Sequence, residues 1–313
     1  MIIYSCDFSR PEPTDDQAMS DKKVALITGC SSGGLGAALA VALHKSGYRV
    51  IATARNTSKL QETRAAGIED LELDVLSPAS ISTCVEKFTT LTGGRLDMLV
   101  NNAGSSYYMP VSDLDISKAK EVFDLNVWSI VSITQAFLPL LLKSDHARIV
   151  NNLSVAAYIG LPVQATYNAS KAAAQQITES MRLELAPFGI KVIALITGSV
   201  KTNFFDNLPS GVQLPEDSIY RVVPGGLSIL NDPAKHLTEE NNMDAATWAG
   251  KVVPEISRKS PPYQVWKGSD AGIIRIGVHL PIGAFDKNIY QRTGFDEVEQ
   301  ALKKAKQEEA QSK

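Results

Sequence analysis

A single doubly wound α/β domain, with a parallel sheet of about seven strands and helices on both faces, is the fold this sequence predicts. Three observations carry that prediction. Short apolar runs alternate along the chain with longer segments of helical spacing. The first run, Val24-Ala25-Leu26-Ile27-Thr28-Gly29, breaks into Cys30-Ser31-Ser32-Gly33-Gly34-Leu35-Gly36 before a helical stretch from Ala37 to Lys45. A length of 313 residues with 44% apolar content suffices for one large core, so a single domain over residues 21–295 is the economical assignment.

Residues 1–20 contain Pro11, Pro13 and Asp15-Asp16 but no cationic start leading into an apolar core, so they read as a flexible extension rather than a secretory signal. Met19 would itself make an ordinary start before the first strand, and residues 1–18 are therefore expected to be dispensable. Loss of activity on deleting them would refute this. After the glycine-rich stretch, strand candidates follow at Arg49–Ala54, Asp70–Asp74, Met98–Asn101, Arg148–Leu153, Lys191–Ile196 and Tyr263–Lys267. The glycine loop delivers the chain to a helix N-terminus, where unpaired N–H groups and the dipole favour a phosphate. Val127–Leu142 is apolar but shorter than the ~20 residues a membrane span needs, which predicts a buried helix.

The segment from Ala165 to Pro187 has helical spacing, so Tyr167 and Lys171 share one face about a turn apart. A phenol ordinarily titrates near ~10, and a neighbouring ammonium is expected to lower that value and fit Tyr167 for general acid or base work. Taken alone, such a pair is a weak signal.

Composition narrows the function classes. A net charge of -3 gives no basic footprint for nucleic acid. Cys6, Cys30 and Cys84 are too few and scattered for a disulfide framework or a zinc site, so no metal is expected, and a reducing, cytoplasmic location fits.

Thr28-Gly29, Asn101-Asn102-Ala103-Gly104, Asn126, Ser154 and Tyr167-x-x-x-Lys171 occur together and in order. From about Lys23 to about Lys267 the chain thereby resembles the short-chain dehydrogenases/reductases. The resemblance implies a Rossmann-type fold and hydride transfer between a nicotinamide cofactor and a small-molecule carbonyl or alcohol. It implies that Ser154 holds the carbonyl, Tyr167 donates the proton, Lys171 holds the nicotinamide ribose and tunes Tyr167, and Asn126 supports a proton relay. Gly29, Ser31, Ser32, Gly34, Leu35 and Gly36 would surround the cofactor's phosphates. Asp74 and Val75 would flank its adenine, and Asn102, Ala103, Gly104, Val200 and Thr202 would complete the cofactor site with Tyr167 and Lys171. No carboxylate stands at Ala54, where it would pair with a free ribose, and Arg55 offers a planar donor for a 2′-phosphate, which predicts NADP(H) over NAD(H).

Two departures accompany the resemblance. The glycine loop carries one residue more than the common spacing, which leaves the register of Gly33 open. After the sixth strand many relatives carry Pro-Gly, whereas this chain reads Thr197-Gly198, which frees φ and restores an N–H. Thr28 to Gly34, Ala52 to Arg55 and Val200 to Phe204 resemble the fungal branch of NADPH-dependent 1-acyldihydroxyacetone phosphate reductases, to which secondary-metabolite ketoreductases are related.

Residues 203–262 are expected to cover the substrate, with Phe204, Phe205, Leu208, Val212, Leu214, Ile219, Tyr220, Val222 and Val223 either lining a pocket or packed in the core. Lys201, Arg221 and Lys235 are the cations available for a substrate phosphate. Ala271–Tyr290 mixes apolar residues with glycine and proline before a charged tail at residues 296–313. Interior packing or a homo-oligomer contact is the favoured reading there, and peripheral contact with endoplasmic reticulum or lipid droplet the alternative. Two further readings stand beside a reductase: an NADP(H)-binding sensor, and an enzyme of the same fold redirected to isomerisation, dehydration or cyclisation.

Overall fold

The computed structural model describes residues 22–204, 213–223, 227–232 and 242–311. Seven strands form one sheet in the order β3-β2-β1-β4-β5-β6-β9, every neighbour parallel. They are β1 (Val24–Ile27), β2 (Arg49–Ala54), β3 (Glu69–Glu72), β4 (Met98–Asn101), β5 (Arg148–Ser154), β6 (Lys191–Thr197) and β9 (Gln264–Lys267). A separate two-residue pairing joins β7 (Val200–Lys201) to β8 (Met243–Asp244). The expected strands are all present, with the third displaced from Asp70–Asp74 to Glu69–Glu72.

Helices cover both faces, which explains why β1 and β4 are buried along their whole length instead of alternating. On one face α1 (Leu35–Lys45) and α8 (Ala245–Ile256) bury Leu39, Leu43, Trp248 and Val252 against Ile27, Val50 and Val100. On the other, α3 (Pro78–Thr92), α5 (Ser129–Leu141) and α6 (Ala165–Leu185) pack Phe88, Phe137 and Met181 against Leu26, Leu99 and Ile149. Phe88 and Phe137 meet edge-on at 5.6 Å between centroids. Thus α8, within the segment expected to cover substrate, belongs to the sheet's own layer.

The apolar helix expected at Val127–Leu142 is part of a longer one. Starting from α4 (Ile116–Phe123), the chain runs through a π-helical turn at Asp124–Trp128 into α5 without a break. The resulting Ile116–Leu141 run of 26 residues is long and apolar enough to span a bilayer, so its length does not exclude a span. Its Ile130, Ile133, Phe137 and Leu141 are spent in the core instead.

At the bottom of the sheet, buried Asp97 accepts hydrogen bonds from the Val24 N–H at 2.7 Å and the Ser144 hydroxyl at 2.5 Å, closing β1 onto the turn before β5. A third, smaller core lies above the opposite edge. There Tyr108, Met109 and Val163 pack with Leu214, Val223, Leu227 and Ile229, and Phe295, Val298 and Ala301 of α11 (Phe295–Gln311) lie against them. The charged C-terminal segment is therefore a helix with one apolar edge docked on the described part of the covering segment.

Strand order reverses between β1 and β4, so the loops leaving their carboxyl ends diverge and open a crevice.

Candidate active site

Hydrogen bonds stitch four strand ends together at that crevice. The Thr28 hydroxyl oxygen accepts from the N–H groups of Asn102 and Ala103 at 2.9 and 3.0 Å. The Asn102 amide donates to the carbonyls of Thr28 and Gly29, and its own oxygen accepts from Asn152 at 2.8 Å. Asn152 Oδ1 in turn accepts the Thr197 hydroxyl at 2.6 Å. Sequence reasoning found Asn102 and missed Asn152 as a bridging residue. The available signal was a pair of amides, Asn151-Asn152, inside an otherwise apolar strand. The Thr197 hydroxyl thereby ties the turn after β6 to β5.

The glycine loop resolves its own register. Gly29, at φ 71°, lies so close to the next loop that a Cβ would sit 2.9 Å from Ala103 Cα. A Cβ on Gly36 would meet the Gly29 carbonyl oxygen at 2.5 Å, so Gly36 packs the helix beneath the loop and does not face the cavity. Gly33 is turned away from the cavity. At φ 77° its N–H donates to Glu62 at 2.9 Å and its carbonyl accepts from Asn203 at 3.1 Å, outside the cavity that Ser31, Ser32, Gly34 and Leu35 line. Gly34 occupies the N-cap of α1 without a side-chain cap, leaving the helix's first-turn N–H groups available to an anion. The Ser32 N–H and hydroxyl both donate to the Lys59 carbonyl, at 2.8 and 2.9 Å. This brings Lys59 beside Arg55 and Asn56 at the cavity edge. Lys59, four residues after Arg55, was not singled out by sequence reasoning but lines the same cavity.

Leu73 and Val75 line the next wall. The Asp74 carboxylate, expected to flank adenine, instead accepts the Leu76 N–H at 3.0 Å and does not line the cavity. An aspartate reaching a backbone N–H two residues ahead satisfies itself locally.

Ser154, Tyr167 and Lys171 converge at the cavity's inner end with Asn102, Ala103, Gly104, Val200 and Thr202. Ser154 ends β5, its hydroxyl oxygen accepting the Ala156 N–H at 3.1 Å, and Tyr167 stands in the first turn of α6. Lys171 Nζ donates to the Asn152 carbonyl at 3.0 Å and lies 5.8 Å from the Tyr167 ring centre. Burial pushes the Lys171 ammonium down to about 8. Burial also pushes the Tyr167 phenol up, with the polar Ser154 hydroxyl working the other way. The expected lowering of the phenol by Lys171 is therefore corrected: desolvation dominates, and the ammonium is engaged with a carbonyl.

Asn126 lies in the π-helical turn, its amide oxygen accepting the Ser105 N–H at 2.9 Å and its nitrogen donating to the Ser105 carbonyl at 2.8 Å and Ser170 Oγ at 3.0 Å. Its side chain thus braces the loop after β4 against α6. A Cβ on Gly104 would come 3.0 Å from Asn126 Oδ1, so the loop fits there only without a side chain.

The cavity measures about 1370 Å³, and its outer wall comes from a region that pattern reading did not assign to it. Asp270, Ile273 and Ile274 at the start of α9 (Ala271–Gly277), then Phe285, and Asn288, Ile289, Arg292 and Thr293 on α10 (Asp286–Thr293), complete it. Asp270 pairs with Arg292 at 3.1 Å. Phe204 lines the cavity as well, its ring 6.2 Å from that of Tyr167. Leu214 and Val223 are packed in the third core, Tyr220 and Val222 are partly buried against it, and Ile219 is exposed. Phe205, Leu208 and Val212 fall outside the described residues. Of the cations considered for a substrate phosphate, Arg221 donates to the Leu214 and Pro215 carbonyls, Lys201 is exposed away from the cavity, and Lys235 lies outside the described residues. Among the described residues no three metal-ligating side chains cluster.

The family model for short chain dehydrogenases matches residues 23–213. A short-chain dehydrogenase/reductase of Pestalotiopsis microspora is 44% identical over 291 residues, 92% of this chain and 100% of that protein. The NADPH-dependent 1-acyldihydroxyacetone phosphate reductase of Schizosaccharomyces pombe is 35% identical, covering 87% of this chain and 94% of its own length. A crystal structure of a short-chain dehydrogenase from Streptomyces avermitilis superposes with a TM-score of 0.69 at 28% identity, over 90% of this chain and 98% of that one. A Burkholderia cenocepacia short-chain dehydrogenase in complex with NADP gives 0.62 at 25% identity, over 88% and 98%.

Proposed function

Because this chain belongs to the short-chain dehydrogenase/reductase family, whose members are oxidoreductases acting on CH–OH and carbonyl groups, we propose that it reduces a ketone at the expense of NADPH through Tyr167, Ser154 and Lys171. The observation that carries this reading is that Tyr167 and Ser154 line one cavity with Lys171 buried 5.8 Å from the Tyr167 ring centre.

The residues present fit a dinucleotide: glycines where a Cβ would collide, an uncapped helix N-terminus, and Arg55 with Lys59 at the adenosine end. Bound there, NADPH supplies the hydride, which no protein side chain can. The chain's own groups do the rest. Negative charge develops on the carbonyl oxygen, and two hydroxyl donors aimed at it stabilise that charge more in the transition state than in the ground state. Tyr167 gives up its proton to that oxygen, Ser154 orients it, and Lys171 holds the ribose and, once drawn from the Asn152 carbonyl, the phenolate. Asn126 holds the loop and helix that frame this relay.

Arg55 and Lys59 line the cavity, and we read them as the cations that would meet an adenosine 2′-phosphate. Arg55→Asp is expected to weaken NADPH at least about tenfold while leaving NADH within about threefold, because a carboxylate there repels the phosphate and suits the free ribose. An unchanged preference in steady-state assays would overturn the assignment.

The substrate is read as an acyl-dihydroxyacetone-phosphate-like ketone, supported by the Schizosaccharomyces pombe relative, with a polyketide-type ketone as the second reading. Following NADPH oxidation across acyl ketone phosphates, polyketide ketones and steroids decides between them. Product formed without oxidation would mark a redirected enzyme, and cofactor binding without turnover a sensor.

We place the protein in the cytoplasm. Ile276, Leu280 and Ile282 are exposed at 73, 52 and 107% next to Ile273 on the cavity rim, so interior packing does not account for them. An oligomer contact is the favoured reading and a lipid surface the alternative. Flotation with phosphatidylcholine vesicles would reverse that order.

A further inference from the structure

A charged pair stands in the apolar outer wall of the cavity. Asp270, just before α9, and Arg292, in the last turn of α10, both line it among Ile273, Phe285 and Ile289. Arg292 Nη1 lies 3.1 Å from Asp270 Oδ2, and 31% of each side chain stays accessible. Among the other described lining residues the cations are Arg55 and Lys59, read above as the adenosine end, and Lys171 beside Tyr167. That leaves Arg292 as the cation of the outer wall.

Helix stability explains only half of this pair. A cation in a last helical turn is favoured by the macrodipole, so α10 alone accounts for an arginine at position 292. Asp270 gains nothing comparable. It holds the N-cap of α9 at φ 64°, in the left-handed region, yet its side chain makes no capping hydrogen bond, although aspartate caps well. Its neighbour anchors it there. Ser269 and Ser199 exchange backbone hydrogen bonds at 2.9 and 3.1 Å, and Ser269 Oγ accepts the Met243 N–H at 3.1 Å. The carboxylate is thus committed to Arg292 from a backbone tied to the turn after β6. A partly exposed ion pair adds little stability, and two apolar side chains would continue the wall without desolvating any charge.

We propose that Arg292 receives an anionic group of the substrate, a phosphate or a carboxylate, and that Asp270 is its counterion in the empty cavity. The inference rests on the reductase reading and names the substrate class for it: ketones that also carry such an anion. A guanidinium suits either group, because its planar fork of donors matches two oxygens at once. Asp270 offsets the penalty of an unpaired cation in an apolar wall, and by the same charge it opposes a second anion. The two residues therefore act in opposite directions on an anionic substrate, which a purely structural pair does not.

The test follows NADPH oxidation with levulinate against ethyl levulinate, and with 1-palmitoyl dihydroxyacetone phosphate against its dephosphorylated form. Wild type is expected to favour the anionic member of one pair in kcat/KM by at least about tenfold, and the pair that responds distinguishes carboxylate from phosphate. Arg292→Gln is expected to lose at least about tenfold on that anion, with the neutral ketone and the NADPH Kd within about threefold of wild type. Asp270→Asn is expected to lower KM for the same anion by at least about threefold. If Arg292→Gln fails to fold, Arg292→Lys takes its place, with a loss of at least about threefold confined to the anion. No anion preference in wild type, equal losses on anionic and neutral ketones, or an unchanged or raised KM in Asp270→Asn would overturn the assignment while leaving the reductase reading standing. Failure of wild type to oxidise NADPH with any ketone would overturn that reading itself.

Discussion

Tyr167→Phe is expected to lower kcat/KM for ketone reduction by at least about a hundredfold, and by up to about ten-thousandfold, while the NADPH Kd moves less than about threefold. The substitution removes one oxygen. That oxygen is the proton source and one of two donors to the developing oxyanion, whereas the ring stays buried and keeps its contact with Phe204. Ser154 remains as the only hydroxyl of the pair, so a small residual rate is expected. Because burial holds the phenol above its ordinary range, wild-type protein keeps the proton through neutral pH and the activity should not fall with a group titrating near neutrality on Tyr167. Substantial turnover by the variant, measured as NADPH oxidation, would require a different acid.

Lys171→Met is expected to be nearly as damaging to turnover, and its second readout separates electrostatics from shape. The ammonium is buried, and burial has driven it down from an ordinary 10.5 to about 8. Between about 8 and 10.5 the unfolded chain therefore binds a proton that the folded chain has released, and stability rises with pH across that window. Below about 8 both states carry the charge, and the folded state bears the full cost of burying it. The methionine variant has no such charge, so without cofactor it should melt higher than wild type at neutral pH, with the gap closing as pH approaches 10.5. Parallel Tm curves would show that the Lys171–Asn152 bond offsets the burial cost. The pairing of lost activity with gained stability is what a charge kept for chemistry predicts.

What could be read without coordinates was local. Tyr167 and Lys171 stand a turn apart on one helix, and Thr28-Gly29 ends a strand before a helix, so spacing alone placed them. Ser154 needed only the end of its own strand. Asp74 shows the limit: its place after β3 was legible, yet the carboxylate turns to the Leu76 N–H, a choice made by backbone geometry within two residues. Gly33 shows another, since nothing near it in the sequence says that Glu62 and Asn203 take up its N–H and carbonyl.

The doubly wound fold and the strand ends at the site were legible from the chain alone, because periodicity and short-range spacing encode them directly, whereas the hydroxyl, amide and ammonium groups were picked out by the family resemblance. The packed fold was needed to show that Asn152 joins Asn102 to Thr197, that Lys59 lines the cavity, that α9 and α10 wall it, and that burial raises the Tyr167 pKa. These depend on strands far apart in the chain lying side by side in one parallel sheet, and on how much water the packed loops exclude. Neither is a property of any stretch of sequence taken alone.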